Sequence, residues 1–167
     1  MRPKRRNSIE GVWVGHRIEM LRSPSWRVLS LSTRRVLDRL EIEHADHGGA
    51  ENGRLVVTFN QFVEFGIDRH AIAPAIRELE ALKLVEVTER GTGGNSEHRR
   101  PSRYRLTYLN VRYRDQPTDD WKRVATIEQA EALAKTARAS PSRPPKKQKP
   151  SVGKHTVSVL ETHTEMN

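Results

Sequence analysis

The sequence predicts an α+β fold in which two helices separated by a tight turn precede two strands joined by a long basic loop. Residues 58–65 have a helical apolar pattern. Residues 69–82 place apolar side chains at spacings of four, three and three, which form one stripe of a second helix. Residues 84–88 and 103–109 have the apolar, β-branched or alternating patterns of strands. This order is that of a winged helix-turn-helix, with about three main helices, a small antiparallel sheet and a basic wing.

The turn between the two helices is predicted at residues 66–68. Gly66 can adopt turn backbone without steric cost, Ile67 is expected to be buried as the hinge, and Asp68 is expected to cap the second helix. The first helix is expected to present one apolar face to the core, formed by Phe59, Phe62 and Val63. The stripe of the second helix consists of Ile72, Ile76, Leu79 and Leu82.

Further elements are predicted on both sides of this unit. Ser32 is expected to cap a helix over residues 33–45, and the short β-branched segment 54–58 is expected to form the first strand of the sheet. An alanine-rich helix with a capping box is predicted after residue 125.

Composition divides the chain into four regions. They are a largely disordered basic arm at 1–18, the winged helix-turn-helix domain at 19–113, a linker and alanine-rich helix at 114–138, and a disordered Pro- and Lys-rich tail at 139–167.

The net charge of +9 is concentrated outside the predicted domain. Residues 1–18 hold five basic residues and one acidic residue, and residues 116–167 hold nine and six. Residues 19–115 are nearly balanced, with sixteen basic and fourteen acidic residues. Basic tails attract phosphates without needing a fixed structure, so both tails are expected to strengthen binding to nucleic acid. The predicted partner is double-stranded DNA.

The predicted DNA-contacting residues lie on the second helix and on the wing. On the helix, the positions outside the apolar stripe are expected to enter the major groove: Arg69, His70, Ala73, Pro74 and Arg77. Pro74 lies several residues inside this helix, so the helix is expected either to begin late, near Ile72, or to bend. On the wing, phosphate or minor-groove contacts are expected from Arg90, Arg99, Arg100, Arg103 and Arg105. Three residues of the last strand are expected to pack inward: Tyr104, Leu106 and Tyr108.

Several other functions are not supported by the sequence. The chain has no cysteine, no apolar run near the ~18 residues of a membrane span, and no apolar segment after its basic N-terminus. We therefore expect a cytoplasmic, nucleoid-associated protein with no membrane partner. His44, Asp46 and His47 lie close together but do not make a set of three or four convergent ligands, so no metal, cofactor or enzymatic activity is predicted. A solvated acidic face is expected from Asp38, Glu41, Glu43 and Asp46.

The segment from residue 32 to residue 108 resembles winged-helix proteins of bacterial plasmids, phages and integrated mobile elements. The matching pieces are residues 52–58, 62–67, 75–82 and 104–108. Lys83 stands where such families usually carry glycine. The resemblance implies DNA binding in a bacterial cytoplasm, as a transcriptional regulator or a replication-initiation accessory, and leaves a homodimer open. The alternative hypothesis is a protein-interaction adaptor that docks a partner through Trp121 and the helix at 126–138.

Overall fold

The computed structural model describes residues 10–92, 100–111 and 116–140. This part of the chain forms an α+β structure with six α-helices and one three-stranded antiparallel sheet. The helices are α1 (Ile18–Arg22), α2 (Pro24–Arg27), α3 (Leu31–Asp46), α4 (Phe59–Glu64), α5 (Arg69–Ala81) and α6 (Ile127–Ala139). The strands are β1 (Leu55–Val56), β2 (Val85–Glu89) and β3 (Arg103–Leu106), and a 3-10 helix, Asp120–Arg123, precedes α6. Arg99 lies outside the described residues, as do residues 1–9 of the arm (1–18) and residues 141–167 of the tail (139–167) that were expected to be disordered; Ala139, at the start of that tail, is the last residue of α6.

The sheet has the order β1–β3–β2, so the last strand lies in the middle. Leu55 is opposite Tyr104, and Val85 is opposite Leu106. The β2–β3 hairpin extends past both strands through a bridge between residues 92 and 100. The predicted inward packing is confirmed, because Tyr104, Leu106 and Tyr108 are all buried in the core. Alternation along β3 therefore turns the side chains at positions 103 and 105 to the opposite face.

The long helix α3 begins two residues earlier than predicted. Ser30, not Ser32, is its N-cap, and its hydroxyl oxygen accepts a hydrogen bond from the Thr33 N–H. The buried face is formed, as expected, by Val36, Leu37 and Leu40.

The predicted apolar face of α4 is only partly correct. Phe62 is completely buried, whereas the side chains of Phe59 and Val63 are 38% and 40% exposed. Thr58 and Gln61 form a capping box at the start of this helix. A six-residue helix has fewer than two turns and can direct few side chains into the core. In α4 the buried side chain is that of Phe62.

The turn between α4 and α5 has the predicted features. Gly66 has a φ of +85°, Ile67 is buried, and the Asp68 carboxylate accepts a hydrogen bond from the His70 N–H at 2.8 Å. Because α5 begins at Arg69, the expected late start near Ile72 is wrong, and Pro74 lies inside the helix.

The C-terminal elements share the core of α3, α5 and the sheet. Buried side chains from this region are Trp121, Val124, Ala130 and Ala134. Packing therefore continues across the predicted boundary after residue 113. Trp121 is only 3% exposed, so it is not available as the surface docking residue of the adaptor hypothesis.

The predicted acidic face of α3 is wrong at one position. Glu41 is 4% exposed, its Oε1 lies 2.6 Å from His16 Nε2, and the same carboxylate accepts a hydrogen bond from the Tyr108 hydroxyl. His16 also lies against the Trp26 ring, with centroids 4.9 Å apart. The hydrogen bond to Glu41, which outweighs the opposing effect of burial, raises the pKa of His16 above its usual value. This group fastens the N-terminal segment to the body.

Candidate nucleic-acid interface

An open cleft of ≈ 470 Å³ separates the α4–α5 pair from the β2–β3 hairpin. One wall consists of residues 57–60 together with Arg69, the first residue of α5. The other wall comes from both arms of the hairpin, near the bridge between residues 92 and 100. The cleft therefore lies between the two elements that the sequence predicts to contact DNA, and both contribute residues to its lining.

Two exposed arginines lie on opposite walls of this cleft. Arg69 donates a hydrogen bond to the Asn60 side-chain oxygen at 3.1 Å, and Arg100 stands across from it on the hairpin. Within the ranges 10–92, 100–111 and 116–140, neither guanidinium forms an ion pair with a carboxylate. No carboxylate in the described part of the chain therefore competes with an anionic ligand for either positive charge.

The other described arginines of the predicted wing already have carboxylate partners. Arg90 pairs with Glu80 at 2.8 Å, Arg103 with Glu89 at 3.3 Å, and Arg105 with Glu86 at 2.6 Å. Arg105 also lies 3.6 Å from Asp120. The pairs of Arg90 and Arg103 involve exposed guanidinium groups and each contribute only about 0–1 kcal/mol, so they restrain these side chains without preventing exchange for a phosphate, whereas the Arg105 side chain is only 17% exposed.

The first turns of α5 present the remaining predicted helix residues near the cleft. His70 is exposed and Ala73 is partly exposed. Because Arg69 and Ala73 are four residues apart, they lie on the same side of the helix, with His70 beside them. The small side chain of Ala73 would allow another molecule to approach the helix closely.

The turn before α5 is held in place from α3. The Arg35 guanidinium donates hydrogen bonds to the carbonyl oxygens of Phe65 and Gly66, at 2.8 and 2.7 Å. A Cβ on residue 66 would come within 2.7 Å of Arg35 Nη2. The absence of a side chain at Gly66 therefore allows this clamp, which fixes the direction of α5.

In the structure, the Arg77 side chain lies against the end of α6. Its Nε donates a hydrogen bond to the Ala137 carbonyl oxygen at 2.9 Å, and its Nη2 reaches the Arg138 carbonyl oxygen at 3.5 Å. These carbonyls lie in the last turn of α6, where a positive charge is favourable. Arg77 thus holds α6 and does not lie with Arg69 and Arg100 on the cleft.

A buried glutamate that sequence analysis did not single out completes this contact. Glu78 has no exposed surface, and its carboxylate accepts hydrogen bonds from the Ser30 N–H, the Ser30 hydroxyl and the Thr33 hydroxyl. Arg138 of α6 lies 2.9 Å from the same carboxylate. Glu78 therefore joins the start of α3 and the end of α6 to α5. The alanines of α6 at spacings of four and three are the one sequence signal of a helix that packs closely.

Two features are absent from the residues that the structure describes. These residues contain no group of three or more His, Cys, Asp or Glu side chains arranged to hold a metal ion. None of their helices is long and apolar enough to cross a membrane.

Comparisons with protein-family models, curated proteins and solved structures find no match to this chain. Any statement on its activity therefore depends on the residues and geometry described above.

Proposed function

We propose that this protein binds double-stranded DNA, with the α4–α5 pair acting as a helix-turn-helix and the β2–β3 hairpin acting as its wing. The observation that supports this most is the cleft between the two, which is lined by Arg69 and Arg100, two arginines that pair with no carboxylate of the described residues. Phosphate groups are the ligands that such a pair of arginines suits, because guanidinium donors match phosphate oxygens in geometry and charge.

In this arrangement the first turns of α5 enter the major groove. Arg69 contacts a phosphate or a guanine edge, His70 is beside it, and Ala73 lets the helix approach the bases. Arg100 contacts the backbone on the hairpin side of the same groove. The paired arginines of the hairpin strengthen binding by exchanging a glutamate for a phosphate, so their contribution is smaller than that of Arg69 or Arg100.

The resemblance to winged-helix proteins of plasmids, phages and mobile elements favours a bacterial regulator or a replication-initiation accessory. Either role would place the protein on the nucleoid. The DNA-contacting surface is the same in both, so the first experiments need not distinguish them.

Binding to a random duplex, measured by fluorescence anisotropy across a range of salt concentrations, tests the proposal. The logarithm of the association constant should fall with the logarithm of the salt concentration, with a slope of about −0.9 per phosphate contacted. Arg69→Ala and Arg100→Ala should each weaken binding about 10- to 100-fold, since a charged hydrogen bond contributes about 1.5–3 kcal/mol. Arg123→Ala is the matched control, because Arg123 is 76% exposed and lies on the 3-10 helix before α6.

Two outcomes would contradict the proposal. One is the absence of duplex binding at low salt, which would favour the alternative hypothesis of a protein partner. The other is equal weakening by Arg123→Ala and Arg69→Ala, which would mean that charge matters and the cleft does not.

Sequence preference provides a separate test of how α5 is used. Selection from a random duplex library should yield a changed consensus for Arg69→Ala if Arg69 contacts a base, a change of about 1–3 kcal/mol at that position. Arg77→Ala should retain the wild-type consensus, because the Arg77 side chain is hydrogen-bonded to α6.

A further inference from the structure

A second cleft, of ≈ 480 Å³, lies between the end of α2 and α6. Its α6 wall is one side of the helix, because the lining positions 127, 131, 134 and 138 follow one another at spacings of four, three and four. From α2 come Arg27, its last residue, and Val28, its C-cap. The two clefts are distinct, since no lining residue of this one also lines the cleft of Arg69 and Arg100.

The floor of this second cleft is apolar and its rim is charged. Val28 and Ile127 are half-buried, and Ala134 is completely buried. The exposed side chains of the rim are Arg27, Glu131, Lys135 and Arg138. Three positive charges and one negative charge give the rim a net charge of +2, and counting the buried Glu78 beside Arg138 leaves +1. The cleft therefore combines an apolar surface with a surplus of positive charge.

Two of the three rim cations have no acidic partner in the described part of the chain. Neither Arg27 nor Lys135 forms an ion pair with a carboxylate in residues 10–92, 100–111 and 116–140. The negative end of the α6 dipole is also neutralised, because Arg77 donates hydrogen bonds to the carbonyl oxygens of residues 137 and 138. Described neighbours therefore do not offset the surplus of positive charge.

Arg138 gives the cleft a positioned donor group. Its Nη1 lies 2.9 Å from a carboxylate oxygen of Glu78, while 42% of the side chain is exposed. A guanidinium group has further N–H donors beyond those used in one such contact. Because the ion pair already restrains the Arg138 side chain, binding a second anion through these donors costs little additional entropy.

We propose that this second cleft binds a small organic anion, a molecule that carries a carboxylate or a similar acidic group on an apolar body. The acidic group contacts Arg138, Arg27 and Lys135. The apolar body covers Val28 and Ile127. A volume of ≈ 480 Å³ lies within the range of small-molecule sites, about 300–1,000 Å³. The site is formed by α2 and α6, so the proposal does not depend on the proposed DNA binding.

The size of the apolar floor favours a small molecule over a protein segment. An amphipathic helix that docks in a groove uses several apolar anchors spaced along its length. Here the floor consists of Val28, Ile127 and Ala134, and the last contributes only a methyl group. The floor therefore accommodates one apolar group of a ligand.

Titration of the full-length protein with 2-naphthoate, followed by NMR spectroscopy of the backbone amides, tests the proposal. The largest shifts are expected at residues 27–28 and 127–138, with a dissociation constant on the order of 1 mM for a ligand of this size. Two comparison compounds separate the two parts of the site. The compound 2-naphthamide retains the apolar body without the charge, and acetate retains the charge without the body. Each should bind about tenfold more weakly than 2-naphthoate.

A double variant tests the contribution of the rim. Arg27→Gln combined with Lys135→Gln should weaken binding of 2-naphthoate about 3- to 30-fold, because each removes one exposed charge contact. The matched control combines Arg22→Gln with Arg123→Gln, which removes two positive charges from exposed residues outside this cleft. It should change the dissociation constant by less than about twofold, since exposed charges at a distance are screened by salt.

Three results would overturn the proposal. The first is a set of shifts centred on residues 57–60 and 100–104, which would place the anion in the cleft of Arg69 and Arg100. The second is equal weakening by the two double variants, which would mean that net charge alone attracts the ligand. The third is the absence of binding up to about 10 mM 2-naphthoate; binding of an acidic amphipathic peptide at the same residues would then assign this surface to a protein partner. Duplex binding is measured separately, so the proposed function can stand when this proposal fails.

Discussion

Replacing Glu78 by alanine is expected to destabilise the fold by about 3 kcal/mol. Glu78 is fully buried and accepts hydrogen bonds from two hydroxyl groups and one backbone N–H, with the Arg138 guanidinium at 2.9 Å. Removing one partner of a buried charged pair costs about 3–5 kcal/mol. The lower end of this range applies because the Arg138 side chain is 42% exposed and can be hydrated once it is released. The cost then comes mainly from the Ser30 N–H and the Thr33 hydroxyl, which lose a charged acceptor.

Urea unfolding followed by circular dichroism measures this change in the free energy of unfolding. Glu78→Gln retains the shape of the side chain but removes its charge, and it should lower the free energy of unfolding by about 1.5–3 kcal/mol. Glu80→Ala is the matched control two residues further along α5, since Glu80 makes only an exposed ion pair with Arg90 and should cost less than about 1 kcal/mol. If Glu78→Ala and Glu80→Ala have the same midpoint, the argument for a buried anchor between α3, α5 and α6 is refuted.

Three further substitutions have defined expected outcomes in the same assay. Asn52→Ala should cost about 2–3 kcal/mol, because the two N–H groups of the buried Asn52 amide lie among three carbonyl oxygens within hydrogen-bond distance, and its oxygen accepts from the Leu106 N–H, which would lose this partner; Asn52→Asp, with the amide donor group removed, should not restore stability. Lys83→Gly should stabilise the fold by about 0.5–1 kcal/mol, because Lys83 has a φ of +61°, where only glycine avoids strain, whereas Lys83→Ala should not. Because the pKa of His16 is raised in the folded protein, protonated His16 should stabilise the fold. This stabilisation should be fully present below pH 6.5, the usual pKa of histidine, and should be lost as pH rises through the raised pKa. The free energy of unfolding should therefore fall as pH rises above 6.5 and through the raised pKa of His16, and His16→Gln should remove this fall; an unchanged pH profile in the variant would exclude the His16–Glu41 contact as its source.

Several features that depend on local sequence were predicted correctly. The turn at Gly66, the burial of Ile67 and the cap at Asp68 follow from backbone preferences of single residues. The apolar stripe of α5 and the inward side of β3 follow from the periodicity of a helix and a strand. These signals are present in the chain before any long-range contact forms.

The tertiary structure decided which charged residues are free. Arg77 has the helix position of a DNA-contacting residue, yet α6, sixty residues away in sequence, provides the carbonyl that binds it. Glu41 lies among acidic neighbours, yet His16 and Tyr108 enclose it. Arg69 and Arg100 resemble the other arginines of the region in sequence, and they differ only because no described carboxylate reaches them. Periodicity specifies the direction of a side chain on its own element. Desolvation and charge pairing depend on the element that packs against it, and that is determined only when the whole chain has folded.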